Sequence, residues 1–200
     1  MNSESLFDLA KSRQPADRER LLLAIADLCD SPHAGMAMKT PAIQALLSSI
    51  FMSLVVEAER DIRQTLAEKL AEAPWAPSAV VNMLALDDIE IAQPILTYSP
   101  VLREADLLRV LVQATLDHQV AVARRPGLTA GVVEAILEAG DAGVMTALAA
   151  NDTADISQTA LTAMVDHARR IVAMRSPLAR HPRLSSELAV RLYAWVGDSL

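Results

Sequence analysis

The chain has 200 residues, 52% hydrophobic, 22% charged and only 3% aromatic, so it can build a core and is not disordered by composition. A formal net charge of −7 disfavours a general nucleic-acid binder, and six aromatic residues argue against a base-stacking surface or an aromatic-rich β-sandwich. One cysteine, Cys29, rules out an intramolecular disulfide and a cysteine zinc cluster.

The chain opens MNSESLFDLAKSRQ, with acids and no apolar run, so no secretory signal is read there and a cytoplasmic location is expected. Residues 3–10 predict a short helix at most. Pro15 to Cys29 predicts a clear one, with Leu21, Leu22, Ile25, Leu28 and Cys29 as its buried stripe. Residues 31–40 predict a loop, with Thr40 as cap and Pro41 as first residue of the next helix. That helix carries Ile43, Leu46, Leu47, Ile50, Phe51, Leu54 and Val55 at helical spacing. It either runs on through Ile62, Leu66 and Leu70 as a rod of about 33 residues, roughly 50 Å long, or breaks between Glu57 and Asp61. The segment is expected to cap a helical stack; a homodimer through the helix from Pro41 is the alternative. The longest uncharged stretch, Thr40 to Val56, contains Gln44 and three serines and is too short for a membrane span.

From Leu70 onward the chain repeats itself. Similar segments start at Leu70, Leu96, Val122, Leu148 and Leu178, in steps of 26, 26, 26 and 30. Each has a starting apolar residue, then proline four residues on (Pro74, Pro100, Pro126, Pro182), with Asp152 in the fourth copy. A second apolar position follows at Ala76, Leu102, Leu128, Ile156 and Leu184. The pattern predicts helix, tight turn, helix. Proline ends the first helix, and Ser78, Thr129, Ser157 or Ser185 caps the second. Val132, Ile136 and Leu137, then Leu188, Leu192 and Trp195, give second helices an apolar face. A pair this small cannot bury its apolar face alone, so stacking of neighbours is expected. The fold class read from this pattern is all-α, a right-handed α-solenoid of about five short helix–turn–helix repeats with an N-terminal helical cap.

The segments LAEKLAEAP, ILTYSPVL, VARRPGLTAGVVEAILEAGD and ALAAND, in that order, resemble a bacterial family, domain of unknown function 2336, over about Glu57 to Trp195. The resemblance implies a HEAT-like or leucine-rich-variant-like helical stack and carries over no catalytic residues. The expected organisation is a cap over residues 1–60 packed on a HEAT-like repeat domain over 61–200.

No residue pattern points to an enzyme. His33, His118, His167 and His181 have no His or Cys partner at metal spacing, and no phosphate-binding loop or nucleophile elbow occurs. No metal or cofactor is expected. The carboxylate pairs Asp87/Asp88 and Asp152/Asp155 are assigned to helix ends or solvent. Cys29 is assigned to the core. His167, in TAMVDHARR, is a helix C-terminal histidine in the simpler reading and a phosphate-accepting one in the other.

Charge is segregated. Between Asp117 and Asp166 stand seven acids and two arginines; between Arg169 and Arg191 stand six arginines (169, 170, 175, 180, 183, 191) and one acid, Glu187. Arg169, Arg170, Arg175, Arg180, Arg183 and Arg191 are therefore the candidate site for an acidic or phosphorylated protein partner. The bland alternative pairs them with acids of the preceding repeat. The expected function is a non-enzymatic protein-interaction scaffold in bacterial signalling or regulation. Nucleic-acid or phosphate-ligand binding by the basic end and phosphotransfer through His167 are the alternatives.

Overall fold

A computed structural model of the chain describes Leu9 and residues 14–30 and 40–197, without the side chains of residues 195–197. The expected helix over 3–10 (Leu9 apart), the loop over 31–39, His33 and the Trp195 side chain thus lie outside the described residues. Among the described residues there are twelve α-helices and no strand. The helices are α1 (Pro15–Cys29), α2 (Pro41–Val55), α3 (Arg60–Leu70), α4 (Ser78–Leu84), α5 (Ile89–Tyr98) and α6 (Glu104–Gln113). They continue with α7 (Leu116–Arg124), α8 (Ala130–Ala139), α9 (Ala142–Ala149), α10 (Gln158–Ala168), a 3-10 turn (Val172–Met174), α11 (Arg175–Ala179) and α12 (Ser186–Gly197). None is long and apolar enough to cross a membrane. The chain divides into two compact units, one ending at Arg103 and the other beginning at Glu104.

In the first unit, α1 packs on both α2 and α3, and α3 packs on α4 and α5. A straight rod from Pro41 to Leu70 could not lay both of its halves on a single 15-residue helix, which spans about 22 Å. The chain accordingly breaks between Val55 and Arg60. Ala58 is buried there, and its carbonyl accepts from Arg63 Nη1 at 2.9 Å. Arg18 pairs with Glu57 and donates to the Ser53 carbonyl at 2.9 Å, tying α1 to the break. Phe51, fully buried, meets Trp75 with ring centroids 6.4 Å apart. In α1 the buried set is Leu22, Ala26 and Cys29; Leu28, expected in the core, is 58% exposed. Burial and then Asp30 push the Cys29 thiol up, so it stays a protonated core residue.

In the second unit, first helices pack on first helices and second helices on second helices. α7 lies against α9, α9 against α11, α6 against α8, α8 against α10, and α10 against α12. The starting residues Leu70, Leu96, Val122, Leu148 and Leu178 are all fully buried. Each removes a whole aliphatic side chain from water, worth about 1.5–3 kcal/mol apiece. The residue three places on is extended or irregular, as the position before proline demands, and the turn follows. In the third copy Gly127, at φ +67°, allows the Pro-Gly turn, and its N–H donates to Thr153 Oγ1 at 3.1 Å.

The caps differ in part from expectation. Ser157 accepts from the Ala160 N–H at 3.0 Å, and Ser185 from the Leu188 N–H at 3.3 Å. Thr129 stands at the cap position, but its hydroxyl donates to Glu104 at 2.5 Å instead. Ser78 is already helical, and Pro77 occupies the cap position.

Candidate functional site

The turns between paired helices hold a row of side chains that sequence reasoning missed. Three residues after each starting position stand Ala73, Ser99, Arg125, Asn151 and His181, and all except Arg125 are buried. Asn151 Nδ2 donates to the carbonyls of Ala123 (2.9 Å) and Arg125 (2.7 Å), in the turn one repeat earlier. Its Oδ1 accepts from the Thr153 N–H at 3.2 Å and from the Thr153 hydroxyl at 2.7 Å. Ser99 Oγ accepts likewise from the Val101 N–H, and His181 Nδ1 from the Arg183 N–H at 3.2 Å. Because Nδ1 accepts, the neutral ring carries its proton on Nε2. Nε2 is enclosed beside the Asn151 carbonyl without a well-formed hydrogen bond among the described residues. Burial lowers the His181 pKa; the Asn151 carbonyl opposes that, Arg183 adds to it, and Asp152 opposes it.

The next turn outward is built differently. Helix α10 ends at Ala168, and its last carbonyls need donors. Arg175 supplies them, Nε to the Ala168 carbonyl at 3.0 Å and Nη2 to the Arg169 carbonyl at 3.2 Å. That clamp fixes the turn carrying Arg169 and Arg170, both exposed. His167, one turn back, is exposed as well, and α12 brings in Arg191, which pairs with Asp166. Together these residues and Ala163 line an open cleft of about 960 Å³.

The six candidate arginines are thus divided. Arg169, Arg170 and Arg191 share the cleft with His167. Arg175 holds helix-end carbonyls. Arg180 turns back on Ser176, donating to its carbonyl at 3.3 Å and its hydroxyl at 2.8 Å. Arg183 reaches the preceding repeat, 3.5 Å from Asp155 and 3.4 Å from the Ile156 carbonyl. Arg183 and Arg191 follow the bland alternative of pairing with acids one repeat earlier. The guanidiniums of Arg169 and Arg170 meet no hydrogen-bond or ion-pair partner among the described residues.

Other candidates resolve into structure. His118 is buried at the start of α7, its Nδ1 2.7 Å from Thr115 Oγ1. Asp87 stands just before the start of α5, the helix end assigned from sequence, and there it also holds Arg63 in a two-bond fork at 2.6 and 3.1 Å. Burial would raise its carboxyl, but the Arg63 hydrogen bond, the Asp88 N–H and the nearby Arg63 and Arg60 charges hold it below the usual carboxylate range. Asp88 pairs with Arg60 at 3.2 Å. No group of three or more His, Cys, Asp or Glu side chains able to hold a metal occurs among the described residues.

The model of a family described as an uncharacterised protein conserved in bacteria (DUF2336) matches residues 91–200, which include every residue of the cleft. No curated protein and no solved structure matches the chain.

Proposed function

We propose, from the premise that the chain belongs to the bacterial DUF2336 family, that it is a non-enzymatic scaffold for a protein partner in the cytoplasm. About five helix–turn–helix repeats, stacked within its units in the manner of a right-handed α-solenoid, form the frame. Support for the stacking comes from cross-repeat bonds spaced like the sequence period, such as Asn151 to Arg125 and Arg183 to Ile156. The partner surface is the cleft at α10 and α12, and the partner is acidic or phosphorylated. The observation that carries this reading is the pair of uncommitted guanidiniums, Arg169 and Arg170, held out on a clamped turn beside His167 and Arg191. Guanidinium forks without partners among the described residues have donors to offer an incoming anion.

The test compares partners retained from native cytoplasm by the wild type, by Arg169→Glu/Arg170→Glu and by Arg180→Glu. A partner lost only from the double variant is expected. Identical retention by all three would contradict the cleft as partner surface. The second reading, phosphotransfer through His167, draws support from the exposed ring in the same cleft as Arg169 and Arg170, which have no partner among the described residues. An acid-labile phosphate that survives His167→Ala would eliminate it.

A further inference from the structure

The geometry points to a narrower ligand for this cleft, an inference that rests on the partner reading above: a single phosphoryl group on a protein side chain, a phosphate monoester dianion. The cleft is lined by Arg169 and Arg170, whose guanidiniums have no partner among the described residues, together with Arg191, Asp166 and His167. A partner carboxylate has two oxygens and one charge, and one arginine fork satisfies it. A phosphate monoester has three terminal oxygens and nearly two charges, and it rewards two or three forks at once. The Asp166–Arg191 pair fits the same ligand. Asp166 holds Arg191 at the cleft wall, and that pairing offsets the carboxylate's own charge beside the ligand.

The charge of the whole chain limits the ligand's length. The same unit carries exposed Glu134, Glu138, Asp152 and Asp155, and the whole chain is at −7. A nucleic acid or an anionic membrane presents many phosphates, and the chain's net negative charge opposes a polyanion more than a single phosphoryl group. One phosphoryl group enters the cleft alone. The chemistry favours a phosphorylated protein over either polyanion.

The experiment titrates the full chain with the capped tripeptide acetyl-Gly-phosphoserine-Gly-amide and, separately, with its Glu counterpart. Backbone amide resonances of residues 163–170 and 191 report binding. Vesicles bearing a phosphatidylinositol phosphate and a single-stranded DNA 12-mer form two further arms. The phosphoserine peptide is expected to bind about tenfold or more tighter than the Glu peptide, a gain of about 1.4 kcal/mol. Arg169→Gln/Arg170→Gln, shown folded by circular dichroism, should lose about tenfold or more in phosphoserine affinity, while Arg180→Gln should match wild type. Equal affinity for both peptides would overturn the phosphoryl assignment and leave an acidic partner standing. No response from either peptide would overturn the partner reading along with it. Tighter binding of vesicles or DNA than of the peptide would overturn the protein-borne source.

Discussion

The turns of Asn151 and His181 (the seam) and the cleft lie in the same unit, and arginine serves opposite ends in them. Around the turns of Asn151 and His181, Arg183 spends its donors on Asp155 and the Ile156 carbonyl of the preceding repeat; at the end of α10, Arg175 spends its donors on the Ala168 and Arg169 carbonyls. At the cleft, Arg169 and Arg170 spend theirs on nothing among the described residues. Six arginines in 23 residues look alike by charge, yet the fold consumes some and exposes others. Charge density marks a region; only the carbonyl inventory marks a site.

The contrast can be broken most forcefully at the seam. Leu148→Ala, at a fully buried starting position, should cost about 2–5 kcal/mol in urea unfolding, and Leu128→Ala, 1% exposed, should fall in the same range. Asn151→Ala should cost about 2–3 kcal/mol, since it strips donors from two carbonyls and an acceptor from Thr153. An unchanged midpoint would mean that the row of turn side chains does not bind the repeats together. Arg175→Gln should cost about 1–3 kcal/mol by freeing two carbonyls at the end of α10. At the cleft, Arg169→Gln/Arg170→Gln should stay within about 0.5 kcal/mol of wild type. A cleft variant as damaging as Arg175→Gln would erase the distinction.

Acidity sharpens the seam further. The folded state holds the His181 pKa below its unfolded value, so the unfolded chain takes up the proton first. Stability from this residue is complete above about pH 6.5 and is lost as pH falls toward the folded pKa. Protonation also turns the Nδ1 acceptor for the Arg183 N–H into a donor. His181→Asn places at this turn the residue that serves one repeat earlier, and it should abolish the loss that sets in below about pH 6.5. The depressed Asp87 carboxyl acts in a separate and lower window. Its stabilisation is present above about pH 3.9 and is lost as pH falls through its folded value. Arg63→Gln should remove that second loss and leave the first.

Much of the frame was legible in the residues. Four starting positions in phase and a fifth after a longer step, all fully buried, could be read from the residues, and the alternation of paired helices followed from proline and spacing. The break after Val55 was legible only as one of two options, because no Gly or Pro marks it and the contacts of α1 decide it. Asn151 escaped notice because Asp152, standing where proline stands in other copies, drew the comparison one residue too far. The signal was present: Ser99, Asn151 and His181 occupy one position of the period. Thr129 shows why caps are hard to assign from sequence, since a neighbouring helix offered Glu104 to the same hydroxyl. The cleft was half legible. Its charge was visible, but the division of the arginines depends on which carbonyls each guanidinium can reach.

The most direct test of that division is the exchange of arginine Nε–H protons with water, followed by NMR on the ligand-free protein. Slow exchange is expected at Arg175, whose Nε–H is bonded to the Ala168 carbonyl, and exchange at the free-guanidinium rate at Arg169 and Arg170. Protection at Arg169 and Arg170 equal to that at Arg175 would show their donors already spent, and the cleft would lose its claim to a partner.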